Sequence, residues 1–315
     1  MNWKIKIVLF LLILSACESD KVNKVENKIL GEELIKKDYL IEIDEYIRIA
    51  KQPNIKLLDF RKKEAYDKEH IEGALNIWRT DIEDISYPYN GMMASRSQIE
   101  TLFSNLGIAT NDTIIIYDDN GLCNATRLWW LLQNYDFSNL KLLQGGLSEW
   151  KANNGLVTTE IPSIQKAIFK LTDRPSMKYY VSKEEVQKAL NTNTVILDTR
   201  TLDEFSGKRQ KKGAAKGGRI NNSIHIDWAE AIDYNGDKKT KSLEELESIY
   251  SQLQIEKDAP VIVYCHSGVR SAHTTFVLTQ LLNYTNVKNY DGSWTEWSYF
   301  DDLPSKKDSA TLQMH

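Results

Sequence analysis

Cys265-His266-Ser267-Gly268-Val269-Arg270-Ser271 places a thiol, an imidazole, two hydroxyls and a guanidinium within one short loop. The residue types suit nucleophilic thiol chemistry. A cysteine attacks as its thiolate, and positive charge and oriented N–H groups favour that form. Arg270 supplies charge, and Ser267 and Ser271 supply hydroxyl donors for a thiolate, a persulfide or a bound oxyanion. His266 offers a donor or a partial charge near neutral pH. Gly268 lets the backbone turn inward with no side chain in the way. The alternative for a lone cysteine after a strand is an inert buried thiol.

The neighbouring sequence says how such a loop would be held. Val261-Ile262-Val263-Tyr264 reads as a buried strand, and Ala272-His273-Thr274-Thr275-Phe276-Val277-Leu278 is compatible with a helix. The loop therefore joins a strand to a helix N-terminus, where inward-pointing N–H groups and the helix dipole favour an anion.

A second copy of the plan lies upstream. Thr113-Ile114-Ile115-Ile116-Tyr117 precedes the loop Asp118-Asp119-Asn120-Gly121-Leu122-Cys123-Asn124 and the aromatic-rich helical stretch Ala125 to Asn134. Leu57-Leu58-Asp59-Phe60-Arg61 matches Ile196-Leu197-Asp198-Thr199-Arg200, and the segment at His70 matches that at Arg219. Asp118 to Trp150 and Cys265 to Trp297 both span 32 residues, with Gly121 and Gly268 in register. Such self-similarity marks two copies of one fold. Strands alternating with helical segments predict α/β domains, each a mainly parallel sheet flanked by helices. Aligning the copies sets Asp118 opposite Cys265 and Cys123 opposite Arg270, so the first copy lacks the nucleophile and Cys123 reads as a packing thiol.

These motifs, over roughly residues 40 to 300, resemble the tandem-domain rhodanese family of sulfurtransferases. The resemblance implies that Cys265 takes the outer sulfur of a small-molecule donor as a persulfide and passes it to a thiophilic acceptor, cyanide or a thiol. It implies no cofactor. His70, His225, His266, His273 and His315 show no metal-ligand spacing with cysteines. Arg270 points to thiosulfate as donor, whereas Ser267-Gly268-Val269 is shared with the family's 3-mercaptopyruvate enzymes. An arginine that tandem members use to grip the donor beside Phe205 stands here as Glu204. Asp59 and His70 match positions proposed to assist catalysis in the mercaptopyruvate group. Asp59 with Arg61 and Asp198 with Arg200 read rather as structural ion pairs. Cysteine phosphatases and related arsenate reductases use Cys-x5-Arg; the Cys-x4-Arg spacing here makes a smaller ring, better suited to a sulfane sulfur than to phosphate. A persulfide carrier or binding module without turnover is the reading from another class.

At 315 residues, 42% hydrophobic and 27% charged, the chain has room for two domains. A net charge of −4 without a basic stripe argues against a nucleic-acid partner. Lys4 and Lys6 precede an apolar stretch too short to span a bilayer, followed by Leu14-Ser15-Ala16-Cys17. Residues 1–16 read as a signal peptide. The motif looks like a bacterial lipobox, which makes Cys17 the lipidated first residue of a membrane-anchored lipoprotein of the cell envelope, periplasmic or on the outer face. Residues 17–37 read as a flexible tether, 38–155 as the first domain, 156–178 as a linker, 179–303 as the catalytic domain and 304–315 as a tail. The second half carries an insertion. Asp59 to His70 is 11 residues and Asp198 to Arg219 is 21, and the added stretch from Gly207 to Lys216 is basic. It reads as a solvated loop, with the alternative that it borders the site and attracts an anion.

Overall fold

The computed structural model describes residues 39–308 and 312–313. The stretches read above as a signal peptide and a tether, with Cys17, lie outside the described residues. From Tyr39 onward the chain forms one unit containing both copies.

Each copy builds a five-stranded parallel sheet, and the spatial order is the same in both. In the first half it runs Leu75–Asn76, Ile55–Asp59, Thr113–Tyr117, Leu140–Leu143, Leu40–Ile41. In the second it runs Ile224–His225, Val195–Asp198, Val261–Tyr264, Val287–Tyr290, Tyr180–Val181. Even the register repeats, with Asp59 opposite Tyr117 and Asp198 opposite Tyr264. The central strands are covered on both faces, which explains why Val261–Tyr264 is apolar throughout rather than alternating. Both loops of interest leave the carboxyl end of a central strand, where open α/β sheets place their sites.

Behind the loops stand two helices, Ala125–Asn134 and Val269–Phe276. They pack against each other, so the halves share a core. Ala272 and Phe276 belong to the same apolar cluster as Leu128 and Trp129, and the Trp129 and Phe276 rings meet edge-on at 5.0 Å.

Both expected ion pairs form. Arg61 and Arg200 each grip the carboxylate two residues earlier, with a shortest contact of 2.6 Å. Each also donates to a backbone carbonyl, of Glu69 or Gly218. Such a buried, multiply bonded pair fixes the turn after the strand. His70 is buried, stacked on Tyr66, with its ring nitrogens 2.8 Å from the Tyr66 carbonyl oxygen and 3.1 Å from that of Glu160. It belongs to the frame of the first half.

The connecting and terminal segments are more structured than their lack of periodicity suggests. Val157–Thr158 pairs with His70–Ile71, and Phe169 and Leu171 enter the first core. Ser305–Lys306 pairs with Arg219–Ile220, and Leu312–Gln313 with Arg209–Gln210 of the insertion. Among the described residues no helix is long and apolar enough to cross a membrane.

Candidate active site

Cys265 follows the central strand directly and is 1% exposed. Gly268 turns the loop with φ +74°, and the helix begins at Val269. A Cβ at residue 268 would lie 2.6 Å from the Asp291 carbonyl oxygen and 2.7 Å from an Arg127 nitrogen, so glycine is required for space as well as for its φ. Ser293 fixes the other side of the turn. Its hydroxyl accepts from the N–H groups of Cys265 (3.1 Å) and Gly268 (3.0 Å) and donates to the Tyr290 carbonyl (2.8 Å).

The thiol is set for ionisation. Burial works against the thiolate. Arg270's charge, the Ser271 hydroxyl at 3.4 Å from Sγ, and the N–H groups of Ser271 and Ser267 work for it. The second set wins, and the Cys265 pKa is lowered from the ordinary thiol value. Cys265, Ser267, Arg270 and Ser271 are thus brought together.

Arg270 is not a free hand reaching for a donor. Two of its nitrogens bond the two Glu204 oxygens at 2.7 and 2.8 Å, a bidentate fork with both side chains largely buried. Burial alone would raise the Glu204 carboxyl pKa, but the hydrogen bonds and charge of Arg270, with Arg200 and Lys211 nearby, hold it well below the carboxylate range. The residue that departs from the donor-gripping arginine therefore neutralises the arginine of the loop.

His266 corrects the sequence reading. Burial first, then Lys211 and Arg270, push its pKa down to about 4, so it carries no charge near neutral pH. Its Nε2 lies 3.0 Å from the Lys212 carbonyl and donates to it, while Nδ1 finds no partner. That bond pins the basic insertion over the loop, with Gly213 against His266 and Thr295. The insertion does border the site. Val269 points away, into an apolar cluster with Cys123, Trp228 and Ile232.

Several contributors were not singled out from the sequence. A strap from the first half lies over the loop. Gly91, at φ +102°, sits so close that a Cβ there would be 2.6 Å from the Ser267 Cβ. Neighbouring bonds hold the strap, the Thr295 hydroxyl donating to Asn90 O and the Tyr89 hydroxyl to Glu296. Arg127, on the first half's helix, donates to Gly91 O (2.7 Å) and to the Asp291 carboxylate (2.6 Å), both charges buried. Nothing in local sequence pattern marks these residues, because each acts on a partner more than 35 positions away. Ser293 lay inside the repeated Asp291-Gly292-Ser293-Trp294 stretch, where a hydroxyl opposite a glycine was the available clue.

The first-half loop has the same shape and a filled centre. Asp118 occupies the place of Cys265. Its carboxylate accepts from the N–H groups of Asn120 (2.9 Å), Leu122 (2.9 Å), Asn124 (2.7 Å) and Ala125 (3.0 Å). Burial pushes its pKa up against those four donors. Cys123 is free and buried, its pKa raised by burial. Among the described residues no group of three or more His, Cys, Asp or Glu side chains is placed to hold a metal ion.

Comparison with known proteins agrees with this architecture. The rhodanese-like domain family matches the chain twice, at residues 42–153 and 182–299. A Saccharopolyspora erythraea protein provisionally named a thiosulfate sulfurtransferase is 35% identical over 247 residues, 76% of this chain and 85% of that protein. A Haloferax volcanii protein with the same provisional name is 33% identical over 250 residues, 78% of this chain and 85% of its own. The fold is that of SseA from Escherichia coli, described with the 3-mercaptopyruvate sulfotransferases, at TM-score 0.73 and 24% identity over 82% of this chain and 99% of SseA. Tum1 from Saccharomyces cerevisiae superposes at TM-score 0.73 with 18% identity, over 87% of this chain and 99% of Tum1. Two matched domains, over sheets whose strand order and register repeat, make this chain a member of the rhodanese family.

Proposed function

We propose that the chain is a sulfurtransferase that carries sulfane sulfur on Cys265, with thiosulfate as donor and cyanide or a thiol as acceptor. The observation that carries this reading is the Cys265 thiol, its pKa lowered inside a closed cradle of N–H groups, Ser271 and Arg270.

The cycle balances without an outside oxidant. The Cys265 thiolate attacks the outer sulfur of thiosulfate, a new S–S bond forms, and the old one breaks with its electron pair leaving on sulfite. The anionic persulfide then sits where the N–H groups converge. Cyanide attacks the outer sulfur, thiocyanate departs, and the S–S electron pair returns to Cys265 as thiolate. The protein's part is to stabilise the anion at each stage and to keep the persulfide from bulk water.

The names of the relatives favour thiosulfate. The Glu204–Arg270 fork favours the second reading, 3-mercaptopyruvate, because it removes net positive charge from the wall that would receive a dianion. Steady-state thiocyanate production from the two donors decides. Faster turnover per donor concentration with thiosulfate is expected; the reverse order assigns 3-mercaptopyruvate, and silence with both assigns a carrier fed by a protein.

The reading extends to location, where Leu14-Ser15-Ala16-Cys17 supports a lipid anchor on Cys17 in the cell envelope. A palmitate analogue should label the wild type in a bacterial host and not Cys17→Ala; equal labelling of both rejects the anchor.

A further inference from the structure

The silent half retains a pocket at the position equivalent to the catalytic mouth, with altered chemistry. A cleft of about 450 Å³ opens beside Asn124 and is walled by Lys62, Ala65, Trp78, Arg79 and Asp119. The repeat register gives each residue a counterpart in the second half. Lys62 stands for Thr201, Ala65 for Glu204, Trp78 for Asp227, Arg79 for Trp228, Asp119 for His266 and Asn124 for Ser271. The elements agree with that register, since Lys62 and Thr201 each precede a helix and Trp78 and Asp227 each precede a short 3-10 turn.

Four of the six exchanges remove negative charge or add positive charge, and one, Asp119 for His266, adds a negative one. Two carboxylates that feel the Arg270 charge, Glu204 and Asp227, are replaced by Ala65 and Trp78, and two cations enter at Lys62 and Arg79. Asp119 is the single acidic group on the wall. Arg79 is half-buried and lies over the Trp78 ring, with its guanidinium carbon 5.3 Å from the centroid. Its acceptor is the neutral Asn124 side-chain oxygen, bonded from Nε at 2.9 Å and from a second nitrogen. A guanidinium has five N–H donors, so this anchoring orients the group and leaves donors for an oxyanion. Asn124 is itself held by its N–H to Asp118, which fills the cradle behind it. The anion-binding capacity that the second half spends on Cys265 is thus satisfied internally in the first half, and a separate cationic surface stands outside it.

We propose that the first half carries a second, non-catalytic binding site for a small oxyanion, held by Arg79 and Lys62 against Trp78. The open cleft lets the ion keep part of its hydration, and the chemistry fits sulfate or an oxyanion of that size and charge. The cleft is lined by first-half residues, Arg79 stands near enough to Lys211 of the insertion for the two charges to oppose each other, and the proposal does not depend on the identity of the sulfur donor.

Calorimetric titration of the full chain with sulfate at low ionic strength tests it. Wild type should bind one sulfate. Arg79→Gln should weaken binding at least tenfold with its thermal midpoint retained, and Arg79→Lys, which keeps the charge, should recover part of the affinity. Lys62→Gln, which removes the second cation of the cleft, should also weaken binding. Unaltered binding by Arg79→Gln, absence of binding by wild type, or unaltered binding by Lys62→Gln overturns the proposal; the last would take the ion out of this cleft. Because the readout is binding, a failure of the sulfurtransferase reading leaves this test intact, and the converse holds.

Discussion

The two loops are built alike and differ in what fills their centres. In the first, the Asp118 carboxyl group takes four N–H bonds and fills the cradle with an unreactive side chain. In the second, the Cys265 sulfur takes N–H groups from Ser267 and Ser271 and leaves room to change its chemical state. The comparison separates two properties of one structure. The strand-to-helix turn supplies a place where negative charge is stable, and the residue at its centre decides whether that place is merely filled or reactive.

The largest effect is expected where the reactive centre is removed. Cys265→Ser should lower thiocyanate production by about a thousandfold or more, since the weaker nucleophile cannot form the persulfide; turnover within tenfold of wild type moves the nucleophile elsewhere.

Next comes the filled cradle. Asp118→Ala orphans four N–H groups, three of them in buried bonds, and should destabilise the protein by about 2–4 kcal/mol, read from urea unfolding. A loss under about 1 kcal/mol would mean the silent cradle does not need its carboxyl group.

The comparison sharpens under acid. His266 and His273 occupy places held by Asp119 and Thr126 in the silent half. Burial holds both histidines down to about 4, so the folded state refuses protons that an unfolded histidine, with a pKa of about 6.5, accepts. Stability should therefore be level above about pH 7 and fall by a few kcal/mol as the pH drops from about 6.5 to about 4. His273→Gln should flatten the profile, and an unchanged slope in that variant would overturn the assignment.

Smaller effects are expected at the strap. Gly91→Ala adds a Cβ against Ser267 at a φ that disfavours it and should displace a thiolate-directed N–H group, lowering kcat/KM about tenfold. An unchanged kcat/KM would show that the strap only covers the loop. Smallest of all, Cys123→Ser should leave turnover within about twofold, because Cys123 behaves as a small apolar side chain beside Val269. A loss beyond tenfold would make Cys123 a partner in sulfur handling.

The sequence carried the architecture because the duplication wrote it twice. The parallel sheets, loop position, the Asp-x-Arg turns and the helix at Ala125–Asn134 all follow from short runs whose period and spacing are visible in one dimension, whereas the strand order does not. The Cys265 loop was legible for the same reason. The lowered Cys265 pKa was legible too, but the pairing of Arg270 and the charge of His266 were not. Whether Arg270 reaches a donor or folds back on Glu204 depends on a residue 66 positions away, and whether His266 is charged depends on how the insertion covers it. Glu204 itself could be seen as a departure, but not as the partner of Arg270. The roof at Gly91 and Arg127 had no local mark, since a lone glycine and a helical arginine are common in any chain.

Arg127 and Asp291 come from different copies and meet where neither touches water. Parted, they would leave a guanidinium in one hydrophobic wall and a carboxylate in another, each without a counter-ion and costly to keep folded. Once this pair was enclosed, the copy without the cysteine could no longer be deleted. Its persistence is then a structural ratchet: a domain retained for the company it keeps in the fold.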